Sequence, residues 1–125
     1  IGESVGIDQI ITDRRLVERD FGVLTGKPVS DINKYAKKIF QGDRIKYFLN
    51  TRGAERFPTL FKRARKVLDE VCSKNQGKTI VLVTHGDVGK MILAAYNHWT
   101  WERGLQVPYF DNTDILELSQ KTVTR

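Results

Sequence analysis

Three stretches of this 125-residue chain predict an α/β fold. The run Lys78-Thr79-Ile80-Val81-Leu82-Val83 is apolar and β-branched without a break, which is how a strand buried on both faces of a sheet reads. It stops at Thr84-His85-Gly86-Asp87 and resumes from Val88 to Tyr96 with apolar residues at helical spacing. A long amphipathic helix precedes it, and strand candidates alternate with helices along the rest of the chain.

Taken in order, Ile1, Val5 and Ile7 fit the apolar face of a helix's last turns, with Gly6 ending it. A chain that opens inside an element is expected to be cut from a longer one. Ile10-Ile11 predicts a short strand within residues 8–13. Residues 14–28 follow neither period. Gly22, Gly26 and Pro28 mark them as a loop folded over something, and Arg14, Arg15, Glu18, Arg19, Asp20 and Lys27 concentrate charge there. Ser30 suits the N-cap of a helix with Ile32, Tyr35, Ala36 and Ile39 on its apolar face. Residues 43–53 read as irregular, anchored by Tyr47, Phe48 and Leu49. The long helix is expected from about residue 55 to about residue 75, with Pro58 tolerated only in its first turn. Its stripe is Leu60, Ala64, Val67, Leu68 and Val71, with Cys72 packing on the edge and Asn75-Gln76-Gly77 as the stop. Beyond the last long helix, residues 98–103 form an aromatic corner in which His98 is read as structural. Residues 113–118 predict a strand, and 119–125 a polar tail.

The composition, 40% hydrophobic and 29% charged, is ordinary for a globular protein with a real core. No apolar run is long enough to span a bilayer. With one cysteine, an internal disulfide is excluded, so a reducing, cytoplasmic setting is the expectation. The net charge of +6 favours anionic partners. The basic residues are scattered among acidic ones, which makes nucleic acid the minority reading.

A strand feeding a helix through so short a turn puts His85 at the carboxyl end of the strand, the edge where open α/β sheets bind ligands. The first amides of the helix and its dipole favour an anion there, and Gly86 lets it approach closely. Together these suggest a phosphate site; the alternative is a histidine that merely ends a buried strand. The chain lacks a Walker-type loop, a dinucleotide fingerprint and a Gly-x-Ser-x-Gly elbow. Two distant histidines and one cysteine make no structural zinc site. Phosphoryl chemistry through His85 and Glu18 remains, the imidazole stabilising the phosphoryl group and the carboxyl protonating the leaving oxygen.

The order of these motifs resembles the histidine phosphatase superfamily, also called phosphoglycerate mutase-like. Leu16-Val17-Glu18-Arg19-Asp20-Phe21-Gly22-Val23-Leu24-Thr25-Gly26 is similar to the family's Leu-x-Glu-x-x-x-Gly-x-x-x-Gly segment. Thr84-His85-Gly86 resembles its second catalytic histidine segment. Gly53-Ala54-Glu55 with the downstream Arg63 is similar to its Gly-Glu-Ser and following arginine, with Ala54 intervening and the serine absent. Asp111-Asn112-Thr113 resembles its last strand's beginning. The resemblance implies a three-layer sandwich, a mostly parallel sheet with helices on both faces. It implies that Glu18 is the proton donor and that His85 stabilises the pentacoordinate transition state. No cofactor or metal is implied.

One departure is large. Family members begin with Arg-His-Gly, whose histidine becomes phosphorylated, and this chain holds only His85 and His98. Residues 1–125 are therefore expected to be the C-terminal portion of a single catalytic domain, incomplete at its N-terminus and inactive alone. The expected activity of the whole is a phosphomonoester phosphatase working through a phosphohistidine. A mutase and a non-catalytic phosphate or polyanion binder are the alternatives. Phosphatase is favoured because family mutases carry Leu-Asn-Lys after the second glycine and an arginine pair in the intervening region. Here Lys27 follows Gly26 directly, and Arg52 has no arginine neighbour. The expected substrate is a small phosphorylated metabolite, with Gly86, Arg14, Arg19 and Lys27 as phosphate or substrate contacts. No membrane partner is expected, and a homodimer stays open.

Overall fold

The computed structural model describes residues 1–119. Among them, α1 (Ile32–Tyr35), β1 (Lys38–Gln41), β2 (Lys46–Leu49), α2 (Phe57–Lys74), α3 (Gly86–Tyr96) and α4 (Trp101–Leu105) follow in that order, with short 3-10 turns before α1. The core lies where α2, α3 and α4 meet the hairpin: Tyr47, Phe57, Leu60, Ala64, Val88, Met91, Ile92 and Leu105.

Helix α2 begins where its sequence allows. Pro58 sits in the first turn, where a missing N–H costs nothing. Leu60, Ala64 and Val67 are fully buried at i, i+4 and i+7, each large side chain worth roughly 1.5–3 kcal/mol. Asn75 closes the helix by donating from Nδ2 to the Val71 carbonyl at 2.9 Å. The exposed pairs Lys74–Glu70 and Arg65–Asp69 add little. Helix α3 answers with Val88, Met91, Ile92 and Ala95 on its buried face. Gly104 permits α4 to cross it closely, since a Cβ there would stand 2.9 Å from that of Ala94.

The sheet departs from expectation. The only ladder among the described residues is the antiparallel pair β1–β2, with Ile39 opposite Phe48 and Phe40 opposite Tyr47. Residues 78–83 are not in a ladder, and Ile80, Val81 and Val83 are 40%, 63% and 58% exposed rather than buried. A β-branched run becomes a strand only when a neighbouring strand takes its N–H and C=O groups, and no strand among the described residues pairs with this one. The same holds for Ile10-Ile11 and for residues 113–118, where Ile115 is 94% exposed. The helix expected from Ser30 through Ile39 is also corrected. It stops at Tyr35, Ser30 lies in a 3-10 turn without capping, and Ile39 belongs to β1. Cross-strand pairing to the buried Tyr47 and Phe48 outweighs a local helical period. Of the expected tail, residues 120–125 lie outside the described ones.

Residues Glu3–Val5 form a 3-10 turn that ends on Gly6 at φ +75°, as expected, but Ile1, Val5 and Ile7 are 78%, 65% and 41% exposed, so the expected apolar face is not buried. Just past α3, His98, exposed at φ +57°, donates its amide to the Ala95 carbonyl. The loop 14–28 does fold over the body. Phe21 bridges Ala54, Val23 donates to the Arg52 carbonyl, and Glu55 donates to that of Asp20. Gly22 makes this approach feasible: its φ is +56°, and a Cβ would lie 2.3 Å from the Ala54 nitrogen and the Arg52 oxygen.

Candidate active site

Three fastenings bring the loop to the start of α3. Asp13 caps the turn Arg14–Leu16 by accepting from the Arg15 amide, and Arg15 then pairs with Asp13 and with Glu70 of α2, both at 2.6 Å. Arg63 of α2 forms a two-pronged pair with Glu55 at 2.8 and 3.1 Å and donates to the carbonyls of Arg15 and Val17. Thr84 Oγ1 donates to the Leu16 carbonyl at 2.8 Å, which ties the residue before His85 to the residues before Glu18. Two of the three fastenings use groups on α2, Glu70 and Arg63.

Glu18 arrives at the first turn of α3. Its Oε1 accepts from the Arg19 amide at 2.8 Å and its Oε2 from the Asp87 amide at 3.3 Å. His85 is the N-cap residue of the same helix, extended at φ −118° and ψ 173°, with an exposed side chain. Glu18 is half-buried, and burial together with the neighbouring Asp87 carboxylate pushes its pKa up. The two amides and the His85 ring pull the other way, and the upward push wins. A Cβ on Gly86 would meet nothing within 4 Å, so the space beside the helix start is open.

Arg19 is a correction. Its guanidinium is 2% exposed and faces inward, away from any anion in solvent. Nε donates to Asp87 Oδ2 at 2.9 Å, and NH1 to the carbonyls of Phe48 and Glu55. The guanidinium carbon stands 4.1 Å from the Phe48 ring centre and 4.3 Å from that of Phe57, so cation–π attraction adds to the ion pair. Arg14 is exposed beside the loop that carries Glu18 and is in no ion pair among the described residues. Lys27, also exposed, lies 5.5 Å from the ring centre of Tyr35.

Asp87 was not singled out by sequence reasoning. Its partner Arg19 is 68 positions away, and an acidic residue in a helix's first turn is unremarkable in itself. The Glu55–Arg63 clamp could be found only through the family's motif order. Among the described residues, no group of three or more His, Cys, Asp or Glu could hold a metal ion, and no helix is long and apolar enough to cross a membrane.

The described residues thus form a mixed α/β body that sets an acid and a histidine at one helix start. The chain belongs to the histidine phosphatase superfamily (branch 1), whose family model matches residues 1–123. It is 33% identical over 91 residues to phosphoglycerate mutase-like protein 4 of Arabidopsis thaliana, a stretch covering 70% of this chain and 39% of that relative. The chain thus matches about two fifths of the relative's length. No solved structure matches it significantly.

Proposed function

We propose that residues 1–125 are the C-terminal portion of the catalytic domain of a cytoplasmic phosphomonoester phosphatase that works through a phosphohistidine. The observation that carries this reading is the placement of Glu18, half-buried, with its pKa pushed up and its carboxyl hydrogen-bonded to the Asp87 amide, at the start of the helix that His85 caps. The nucleophilic imidazole, supplied from outside these residues, attacks phosphorus. The P–N bond forms as the ester P–O bond breaks, and the Glu18 proton goes to the leaving oxygen. The Glu18 carboxylate then accepts a proton from water as that water's oxygen attacks phosphorus and the P–N bond breaks. His85 and the amides at the start of α3 stabilise charge on the transferring group in both steps. Arg14 and Lys27 supply charge that draws in a small phosphorylated metabolite. In the same reading, residues 78–84 become an inner strand of a mostly parallel sheet in a three-layer sandwich. The unpaired, exposed β-branched run there supports it.

The test is product analysis on the full-length protein with p-nitrophenyl phosphate and with a phosphoglycerate. The reading expects inorganic phosphate released in step with the alcohol. Isomerised phosphoglycerate without free phosphate would replace it with a mutase. Absence of turnover, with polyanion binding that falls steeply with salt, would replace it with a binding module.

A further inference from the structure

We propose that Asp87 is the positioning residue for Glu18: clamped by the buried Arg19, it fixes the Glu18 carboxyl through its amide and places its own carboxylate beside it. This inference rests on Glu18 acting as the proton donor and deepens that reading.

The geometry runs as one chain of contacts from the core to the acid. The Arg19 guanidinium is wedged against Phe48 and Phe57, two rings of the buried interior, and donates from Nε to Asp87 Oδ2 at 2.9 Å. Asp87 is 9% exposed and follows Gly86 at the start of α3, so its backbone cannot drift without breaking that ion pair. Its amide is the group that holds Glu18 Oε2, while the Arg19 amide holds Oε1. Each partner of the ion pair thus presents its main-chain N–H to one oxygen of the same carboxyl. Glu18 has no need of a cation of its own, and its nearest charged neighbours divide their effects. From α3, the Asp87 carboxylate disfavours ionisation and the His85 ring favours it. From α2, Arg63 holds the Val17 carbonyl but spends its charge on Glu55. From the loop itself, the Arg19 charge is turned away to Asp87, and Arg14 points to solvent as an exposed residue. Such an unbalanced neighbour raises the pH at which a buried acid gives up its proton.

The experiment compares the full-length wild type with Asp87→Asn and with the double variant Arg19→Gln, Asp87→Asn, which leaves no buried charge unpaired. The pH dependence of p-nitrophenyl phosphate turnover is read alongside a carbon-13 titration of the Glu18 carboxyl. In both variants the alkaline limb of kcat moves to lower pH together with the Glu18 titration, kcat at neutral pH falls about tenfold and KM holds. If both variants keep the wild-type profile and lose only stability, Asp87 is structural and the inference is overturned, while the role of Glu18 stands. If Glu18→Gln in parallel keeps wild-type turnover, the reading of Glu18 falls and the inference falls with it. The double variant also guards against a misfolded single variant, because neutral partners of similar shape remain able to hydrogen-bond.

Discussion

In the full-length protein, Glu18→Gln is expected to cut kcat for a phosphomonoester by roughly 10²–10⁴-fold, the usual contribution of a positioned general acid. Glutamine keeps the acceptor oxygen that meets the Asp87 amide but has no proton to give to a leaving alkoxide. KM should change little, because the lost interaction exists only in the transition state. Esters with good leaving groups, which need no protonation, should be affected least. The same substitution should raise stability at neutral pH. A carboxyl whose folded pKa stands above its unfolded value binds its proton more tightly when folded. That contribution is complete below the unfolded value of about 4.3 and is lost as pH rises through the folded one. Ionised Glu18 is therefore a cost at pH 7, which an uncharged amide removes. Urea melts of wild type and Glu18→Gln should differ in favour of the variant at pH 7, and the gap should close towards pH 4. A variant that is less active and less stable at pH 7 would point to damage to the fold.

Arg19→Met should destabilise the full-length protein by about 3–5 kcal/mol, the cost of leaving a buried carboxylate without its partner. Asp87 is the stranded group, with the Phe48 and Glu55 carbonyls also losing a donor. Methionine fills part of the space between Phe48 and Phe57 and keeps contact with their rings, so the loss reports charge more than volume. The double variant Arg19→Met, Asp87→Leu should recover most of the loss, since removing both charges avoids the desolvation of either. Equilibrium denaturation of the three proteins checks this, and a single variant within about 1 kcal/mol of wild type would put Arg19 at the surface after all.

Helices α2 and α3 were legible in the sequence because their stripes bury against each other, and a 3.6-residue period records that directly. The loop 14–28 could be recognised as a cover by its glycines and charges, and Gly22 has the close approach and the positive φ that such a loop requires. Which of its arginines faces inward was not legible. Arg14, Arg15 and Arg19 look alike in one dimension, and only Phe48, Phe57 and Asp87, brought from distant positions, draw Arg19 into the core. Strands failed for a related reason. The side chains of residues 78–83 and 113–118 state a preference for a sheet, but pairing depends on a neighbour that local sequence does not name. Ile39 shows the opposite outcome, a residue on a helical period captured by a partner strand. The meeting of Glu18 with the helix behind His85 came from motif order in the family and not from any spacing, since Glu18 and Asp87 are 69 positions apart.

The claim beneath all of this is that Glu18 and His85 serve one oxyanion. Titrating the full-length protein with inorganic phosphate while following the His85 ring nitrogens and the Glu18 carboxyl carbon by NMR addresses it most directly. Both signals should move and saturate together, with a single dissociation constant. Movement of only one of them, or of neither while phosphate still binds, would contradict the shared site.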